Sequence, residues 1–297
     1  MVDKSEALRA RLIKWVAKID KETGRVQQVH PSGRVHEEVP RTKIEEKRKV
    51  ADMGLKFKND IRPGTNIRDI VVPPELRRRA KTGIKFFDDI MGGEGLVPSM
   101  VTMLTGDPGA GKSTLVRQMA DSLTKQGHTV LYNTGEESPY QVAMQCEKMG
   151  LKSGFHVGTE GKVADLLALA DKLRQPGKEM FLLQDSLQTL DDGFYSNGGT
   201  NSMTAVRATE MLVNWAKETY SLVIFVGQNN KSGDFAGKNA IKHAIDAHAK
   251  IYFDKDKKSD TYGARLLATS KNRWGVCGIV HQVSISEKGL SSDGRVE

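Results

Sequence analysis

The residues with the clearest chemical potential lie between positions 106 and 114, where glycines, a lysine and hydroxyl residues follow one another at fixed spacing. The run is Gly106-Asp107-Pro108-Gly109-Ala110-Gly111-Lys112-Ser113, and Thr114 follows it. Glycines allow backbone N–H groups to curl round phosphate oxygens, and a helix that starts after the loop presents its positive end to them. We expect Lys112 to reach the β- and γ-phosphates and the Ser113 hydroxyl to ligate Mg²⁺. Residues 106–114 therefore predict a nucleotide-binding loop, or P-loop.

Phosphoryl transfer also needs a second carboxylate near the metal and a group that orients the attacking water. The apolar stretch 180–184 ends in Asp185, which predicts the second metal ligand; an aspartate that caps a turn is the alternative. The stretch 129–133 runs towards Glu136 and Glu137, and carboxylates at the C-terminal ends of strands face the ligand crevice of α/β sheets. Glu136 is the predicted catalytic base and Glu137 its catalytic partner. Glu137 also suits the N-terminus of the following helix, which is the alternative for that residue.

Alternating strands and helices after residue 99 would position these groups. Candidate strands are 101–105, 129–133, 180–184, 222–226 and 250–253, and candidate helices are 112–126, 138–149, 162–174 and 203–219. This alternation is typical of an α/β fold with a mostly parallel central sheet and helices on both faces. Short strands near 264–269 and 279–285 predict a β-rich edge.

The net charge divides the chain into two parts. The sequence has 297 residues, with 45 Lys and Arg against 37 Asp and Glu, a net charge of +8. The whole excess lies in residues 1–80, while residues 81–297 balance. We therefore predict a basic N-terminal module with its linker over 1–80 and one large domain over 81–297. In the module we predict an amphipathic helix over 5–19, a hairpin from 25–29 and 34–39, and a helical segment over 41–52, which together make a small α+β module.

Composition excludes several classes of protein. The longest apolar runs are too short to span a bilayer, and the first residues contain no apolar stretch typical of a secretory signal. The two cysteines, Cys146 and Cys277, lack the spacing of a zinc module or a disulfide framework. We expect a soluble, cytoplasmic protein with no membrane partner.

Five sequence blocks resemble the ATPase core of the bacterial RadA/Sms proteins, within the RecA/DnaB group. They are Thr82-Gly83-Ile84 with residues 90–98, the P-loop with Thr114, Gly135-Glu136-Glu137-Ser138, residues 185–190, and residues 227–246, which resemble the family's DNA-facing loop and the helix after it. The most specific match follows them: Lys271-Asn272-Arg273-Trp274-Gly275 is close to the Lys-Asn-Arg-Phe-Gly signature of RadA. KaiC-type ATPases share the Glu-Glu-Ser-Pro feature, but the Lys-Asn-Arg-Trp-Gly block favours RadA.

The resemblance implies a RecA-like P-loop ATPase core that binds ATP and Mg²⁺ between the subunits of a homo-oligomeric ring, usually a hexamer. An open helical filament is the alternative. Lys271 and Arg273 would act on the ATP of the neighbouring subunit, and alternate spacing on a strand would put both on one face. A solvated strand is the alternative. Gln228, at the end of strand 222–226, would sense the γ-phosphate; a simple loop amide is the alternative. Two segments, 191–207 and 229–242, would line the ring and hold single-stranded DNA; ordinary solvated loops are the alternative. The predicted DNA contacts are Arg207, Lys231, Lys238 and Lys242.

Departures from the RadA pattern limit the resemblance. No cysteine precedes Cys146, so the four-cysteine zinc finger of typical RadA is not expected, and neither is its Lon-like C-terminal domain. RadA usually has His at Gln228 and Arg at Asn239. The leading prediction is a DNA-dependent ATPase that moves along single-stranded DNA in recombination, branch migration or repair, with a recombinase, primase or loader as partner. The alternatives are a DnaB-type replicative helicase and a KaiC-like regulatory ATPase that binds a protein.

Overall fold

A computed structural model describes residues 16–19, 26–29, 35–39, 61–195, 198–201, 203–228 and 238–296. For the three short N-terminal segments and for Lys238 the description covers the backbone alone. The chain divides into two compact units, residues 1–54 and 55–297. The boundary predicted between residues 80 and 81 stays a prediction.

The first unit contains a three-stranded antiparallel sheet. Its strands are β1 (Val16–Ile19), β2 (Val26–Val29) and β3 (Val35–Val39), in that order. The predicted hairpin is confirmed as β2 and β3. The predicted helix over 5–19 is wrong for its last four residues, because Val16 and Ile19 pair with Val29 and Val26 of β2 and β-branched residues favour such pairs. The remainder of that helix and the helical segment over 41–52 lie outside the described residues.

The second unit alternates strands and helices along its length. Its helices are α1 (Lys85–Ile90), α2 (Lys112–Lys125), α3 (Pro139–Met149), α4 (Val163–Leu173), α5 (Thr204–Thr219) and α6 (Lys238–Ala244), and three short 3₁₀ helices lie at Ile67–Asp69, Pro74–Arg77 and Leu187–Thr189. Its strands are β4 (Val101–Gly106), β5 (Thr129–Thr134), β6 (His156–Gly158), β7 (Met180–Asp185), β8 (Leu222–Val226), β9 (Ala247–Phe253), β10 (Arg265–Asn272), β11 (Val280–Ser286) and β12 (Gly289–Val296).

These nine strands form one sheet in the order β12-β11-β10-β9-β4-β8-β7-β5-β6. The six strands from β9 to β6 are parallel, and β10, β11 and β12 add an antiparallel edge. The predicted α/β class, the parallel sheet and the β-rich edge are confirmed. The sequence patterns missed the short elements β6 and α1 and the last strand, β12. They also placed the start of β9 at Lys250, three residues after its observed start at Ala247. The helix α6 was expected from the resemblance alone, as the helix after the DNA-facing loop within residues 227–246.

Helices cover both faces of the sheet, and the central strands are therefore apolar on both sides. Every residue of β4, β5, β7 and β8 is buried. One core cluster joins these strands to α1, α2 and α3, and a second joins them to α4, α5 and α6. Because the four strands are parallel, the segments that follow them emerge at one edge of the sheet, where ligands bind in α/β folds. Within the described residues, no helix is both long and apolar enough to cross a membrane.

Candidate active site

The P-loop connects β4 to α2, and two of its glycines are required by its geometry. A Cβ atom on Gly106 would lie 1.7 Å from the backbone oxygen of Ile251, so only glycine lets β9 approach this closely. Gly111 precedes α2 with φ of +99°, a conformation that other residues rarely adopt. These two positions bend the chain so that the N-terminus of α2 faces the loop. Of the other predicted nucleotide-binding residues, Asp107, Pro108, Gly109 and Ala110 lie in the loop, and Lys112, Ser113 and Thr114 begin α2. Asp107 and the three helix residues are half-exposed, Pro108 and Gly109 are exposed, and Ala110 is buried.

Lys112 lies across this loop. Its Nζ donates hydrogen bonds to the backbone oxygens of Gly106 and Asp107, each at 3.0 Å. Burial lowers the pKa of Lys112, and the negative charges of Asp185, Asp107 and Glu136 oppose that shift. The ammonium group is thus held by two backbone oxygens and feels the charges of three carboxylates, so a phosphate chain would meet a cation already desolvated by the loop.

Asp185 ends β7 and is buried beside the P-loop. Its Oδ2 accepts a hydrogen bond from the hydroxyl of Tyr132 at 3.1 Å. Burial, and then the charge of Asp185, raise the pKa of Tyr132, so the phenol stays a neutral donor. Among the described residues, no group of three or more His, Cys, Asp or Glu is placed to hold a metal ion. A single carboxylate with the Ser113 hydroxyl fits Mg²⁺, which takes one or two protein oxygens and completes its shell with phosphates and water.

Glu136 joins the ends of three different strands. It follows β5, and its Oε1 accepts hydrogen bonds from Ser186 Oγ at 2.8 Å and from Gln228 Nε2 at 2.5 Å. Ser186 follows β7 and Gln228 follows β8. The backbone N–H of Gln228 also donates to Gln188 Oε1 at 3.1 Å. The predicted base and the predicted γ-phosphate sensor are therefore in direct contact.

Glu137 points to a different partner. Its carboxylate forms an ion pair with Arg117, a buried residue of α2, while the Glu137 backbone N–H donates to Thr134 Oγ1 at 3.2 Å. The two adjacent glutamates are thus separated in role by geometry, since Glu136 contacts polar groups at the strand ends and Glu137 ties the loop to α2.

Lys271 and Arg273 lie together near the N-terminal end of β4, whereas the P-loop follows the C-terminal end of that strand. Lys271 Nζ donates to the backbone oxygens of Lys242 and of Ile245, the latter at 2.7 Å. Arg273 donates to the backbone oxygen of His243 at 2.7 Å and pairs with Asp246 at 3.3 Å. Burial and the neighbouring Arg273 lower the pKa of Lys271, and Asp246 opposes them. Both side chains therefore cap the carboxyl end of α6, although Arg273 lies one residue beyond the end of β10.

The sheet register keeps this pair away from the P-loop of the same chain. Arg273 N donates to Asp246 O, and Asp246 N donates to Val101 O, which places Arg273 at the start of β4. The P-loop begins at the other end of β4, at Gly106, roughly 16 Å away at about 3.3 Å per residue. β10 and β5 are also five places apart in the sheet, roughly 24 Å at about 4.8 Å per strand. Within one chain these cations do not meet Glu136 or Lys112.

The predicted DNA contacts occupy three settings. Lys242 is half-exposed on α6, and Lys238 opens that helix. Lys231 lies outside the described residues. Arg207 is buried on α5, where it pairs with the buried Asp192 and lies over the ring of Phe194, with 4.2 Å from the guanidinium carbon to the ring centroid. Arg207 would reach DNA only after the pair with Asp192 opens.

Some residues at the site carried no predicted role. Ser186 and Gln188 follow β7 and organise Glu136 and Gln228. Asp246, buried before β9, accepts from Val101 N and pairs with both Lys217 and Arg273. The position of Ser186 directly after a buried strand is a signal that could have revealed it. Asp246 gives no local signal, because its partners are 145, 29 and 27 residues away.

A P-loop between a central parallel strand and a helix, with carboxylates on the neighbouring strand ends, defines the class of RecA-like P-loop ATPases. The family model described as "ATPase: KaiC" matches residues 80–291. The chain belongs to this family of ATPases, and it binds and hydrolyses ATP.

Curated relatives that match the chain are named DNA repair protein RadA. Those of Streptococcus pneumoniae, Escherichia coli and Brucella abortus are 34%, 33% and 31% identical over 221, 214 and 215 residues. These matches cover 74%, 71% and 71% of this chain but 49%, 44% and 44% of the relatives. The chain therefore spans about half the length of the curated relatives it matches.

Solved structures share the fold at low sequence identity. A DnaB-like replicative helicase, described with its interactions with primase, aligns with a TM-score of 0.61 at 13% identity, covering 70% of this chain and 62% of its own. The ATPase domain of G40P gives 0.61 at 13%, covering 83% and 94%. A KaiC-like protein from Pyrococcus horikoshii gives 0.56 at 14%, covering 73% and 99%. The predicted RecA/DnaB-type fold is confirmed.

Replacing Lys112 with alanine should lower ATP turnover by about 10²–10³-fold or more, because it removes the P-loop cation that is predicted to reach the phosphates. Lys125→Ala is the matched control, since Lys125 is exposed in the last turn of the same helix. Phosphate release and binding of a fluorescent ATP analogue would be measured for both. Turnover close to that of the unmodified chain in Lys112→Ala would show that the P-loop is not the site of hydrolysis.

Proposed function

We propose that this chain is a DNA-dependent ATPase that assembles into a homo-oligomeric ring, of six subunits as in the predicted hexamer, and moves along single-stranded DNA in recombination, branch migration or DNA repair. The observation that carries the proposal is the contact of Glu136 with Ser186 and Gln228 beside Lys112, because it links a hydrolytic base to the strand that leads into the segment 229–242. The RadA relatives support the choice of DNA repair. We place the protein in the cytoplasm, with residues 1–80 as a separate basic module.

In the proposed reaction, P-loop N–H groups and Lys112 hold the phosphates of ATP. Mg²⁺, held by Ser113 and Asp185, would neutralise charge on the phosphate oxygens. Glu136 takes the proton of the attacking water, and Ser186 and Gln228 keep its carboxylate in place. Glu137 supports this loop through Arg117. Lys271 and Arg273 of a neighbouring copy stabilise the charge that develops during transfer.

Gln228 is the proposed connection to DNA. It contacts Glu136 on one side and begins the segment that ends at α6 on the other. Lys231, Lys238 and Lys242 would contact the phosphates of the strand, and Arg207 would join them if its pair with Asp192 opens. Contacts of this kind give little sequence preference and strong salt dependence.

Single-stranded DNA is expected to stimulate ATP hydrolysis at low salt, and the stimulation should fall as salt rises. Three lysine–phosphate contacts predict a slope of about −2 for log affinity against log salt, from about 0.7 per contact on single strands. ATPase assays with oligo-dT and with duplex of equal length, at several salt concentrations, would measure it. Lys242→Gln should reduce the magnitude of the slope by about 0.7.

The outcomes separate the proposed function from its alternatives. Absence of stimulation at low salt would overturn it and would favour a KaiC-like regulatory ATPase with a protein partner. Stimulation with unwinding of forked duplex, but without branch migration on a three-strand intermediate, would favour a replicative helicase with a primase or loader partner.

A further inference from the structure

Two exposed apolar pairs lie next to the two separated halves of the candidate site. The first pair, Tyr140 and Met144, lies on α3 directly after the Glu136–Glu137 loop, and the two side chains are 83% and 67% exposed. Residues four apart on a helix are neighbours, so these two form one patch. The second pair, Trp274 and Val276, follows Arg273, and its side chains are 47% and 57% exposed. We name them the carboxylate-side patch and the finger-side patch.

Within one copy of the chain, Arg273, beside the finger-side patch, does not contact Glu136, beside the carboxylate-side patch. Arg273 lies at the start of β4, and β10 is five places from β5 in the sheet. A second copy can bring its Arg273 to the Glu136 loop of the first. Because the two halves are different surfaces, this contact is head-to-tail, and repetition of such a contact generates rings or filaments.

The two surfaces are also complementary in charge. The carboxylate-side patch follows Glu136 in the chain, and Glu136 is the acidic group available to a partner because Glu137 pairs with Arg117 of its own chain. The finger-side patch follows Arg273, which can be released from Asp246 because Asp246 also pairs with Lys217. Large apolar side chains surrounded by charges of opposite sign on the two partners are typical of protein–protein interfaces. Both patches would lose exposed apolar surface by meeting, and the contact would place the cations beside the neighbouring nucleotide.

We propose that Tyr140 and Met144 of one copy pack against Trp274 and Val276 of the next copy, and that this contact delivers Arg273 to the neighbouring P-loop. The proposal rests on the proposed function, in which Arg273 acts across subunits. It adds the surface by which the two subunits recognise each other.

A thiol already present in the finger-side loop allows a direct test. Cys277 is exposed beside Val276, whereas Cys146 of α3 is partly buried and burial raises the pKa of its thiol. The test protein is the full chain with Met144→Cys and Cys146→Ser, treated with a short bismaleimide crosslinker in the presence of a non-hydrolysable ATP analogue. We expect a ladder of covalent dimers, trimers and larger species, with a 144–277 crosslink identified by mass spectrometry.

Two matched controls define the result. Adding Cys277→Ser should abolish the ladder. Asp165→Cys with Cys146→Ser places a thiol on an exposed position of α4, which packs on the other face of the sheet from α3, and should give no ladder. Absence of the 144–277 crosslink, or an equal ladder from position 165, would overturn the proposal.

A second measurement separates this proposal from the proposed function. Tyr140→Ser with Met144→Ser should shift the protein towards monomers in sedimentation velocity while circular dichroism stays unchanged, because both side chains are exposed. An unchanged oligomer would count against the surface. If mixed subunits restore activity as described below while neither the crosslink nor the monomer shift is observed, Arg273 acts across subunits through a different surface. If the crosslink forms without that restoration, the surface stands and the action of Arg273 across subunits does not.

Discussion

Arg273→Ala is expected to lower ATP turnover by about 10³–10⁵-fold while ATP affinity stays nearly unchanged. A cation supplied by a neighbour acts on charge that develops only during phosphoryl transfer, so its loss affects the rate far more than binding. Steady-state turnover and equilibrium binding of an ATP analogue would be measured on the same preparation. A variant that binds ATP poorly, or that keeps its turnover, would contradict the assigned role.

Mixing variants tests whether Arg273 acts on the adjacent subunit. An Arg273→Ala subunit keeps an intact P-loop, and a Lys112→Ala subunit keeps Arg273, so each supplies what the other lacks. Random mixing in equal amounts makes about a quarter of the interfaces complete, which predicts about a quarter of the full activity. Lys112→Ala mixed with the double variant carrying both substitutions is the control and should stay inactive. Absence of recovery in the first mixture would argue against action across subunits.

To act on a neighbouring subunit, the side chain of Arg273 would have to leave Asp246, and its observed contacts allow this. Asp246 is buried and holds Arg273, but it also pairs with Lys217 at 2.8 Å and accepts from Val101 N at 3.0 Å. Departure of Arg273 would therefore leave Asp246 paired, which avoids the large cost of an uncompensated buried charge. Arg273 also donates to the carboxyl end of α6, so its departure would remove one cap from the helix that follows the segment 229–237.

Glu136→Gln is expected to lower turnover by about 10²–10⁴-fold with ATP binding retained. The amide has the same shape, and its oxygen can still accept from Ser186 Oγ, so the loop should keep its conformation while the proton acceptor is lost. Single-turnover hydrolysis, with circular dichroism to verify folding, would measure the effect.

Glu137→Gln provides the comparison for Glu136. Its carboxylate pairs with Arg117, whose side chain is buried, so this variant should lose thermal stability and should lose less activity than Glu136→Gln. A loss of turnover in Glu137→Gln equal to or greater than that in Glu136→Gln would transfer the role of base to Glu137.

Much of the fold was predictable because its signals are local. The apolar runs of β4, β5, β7 and β8 are buried on both faces, and the amphipathic periods between them predict helices. The N-terminal helix prediction failed at Val16–Ile19 because a pattern over four positions fits the helical period and the strand period alike. Pairing with β2 makes this segment a strand. The helix α1 was missed because it is only one to two turns long.

The buried histidine at position 248 illustrates what local patterns cannot reveal. Its ring is within 2.7 Å of Thr105 Oγ1 and 2.6 Å of Ser270 Oγ. These hydrogen bonds join the residue before the P-loop to the residue before Lys271, across β4, β9 and β10. Nothing in the sequence near His248 indicates these partners, which are 143 and 22 positions away.

The sequence by itself determined the phosphate-binding loop, because the chemistry of a P-loop is carried by consecutive residues, and it determined the α/β class, because periodicity is local. Tertiary structure alone decided that Glu136 meets Ser186 and Gln228, which are 50 and 92 residues away, while Glu137 turns to Arg117. It also decided that Lys271 and Arg273 lie near the start of β4, at the opposite end of that strand from the P-loop. The physical reason is that strand order and direction depend on pairing between distant segments. The residue pattern of an alternating or apolar strand is the same whether the strand pairs parallel or antiparallel with its neighbour.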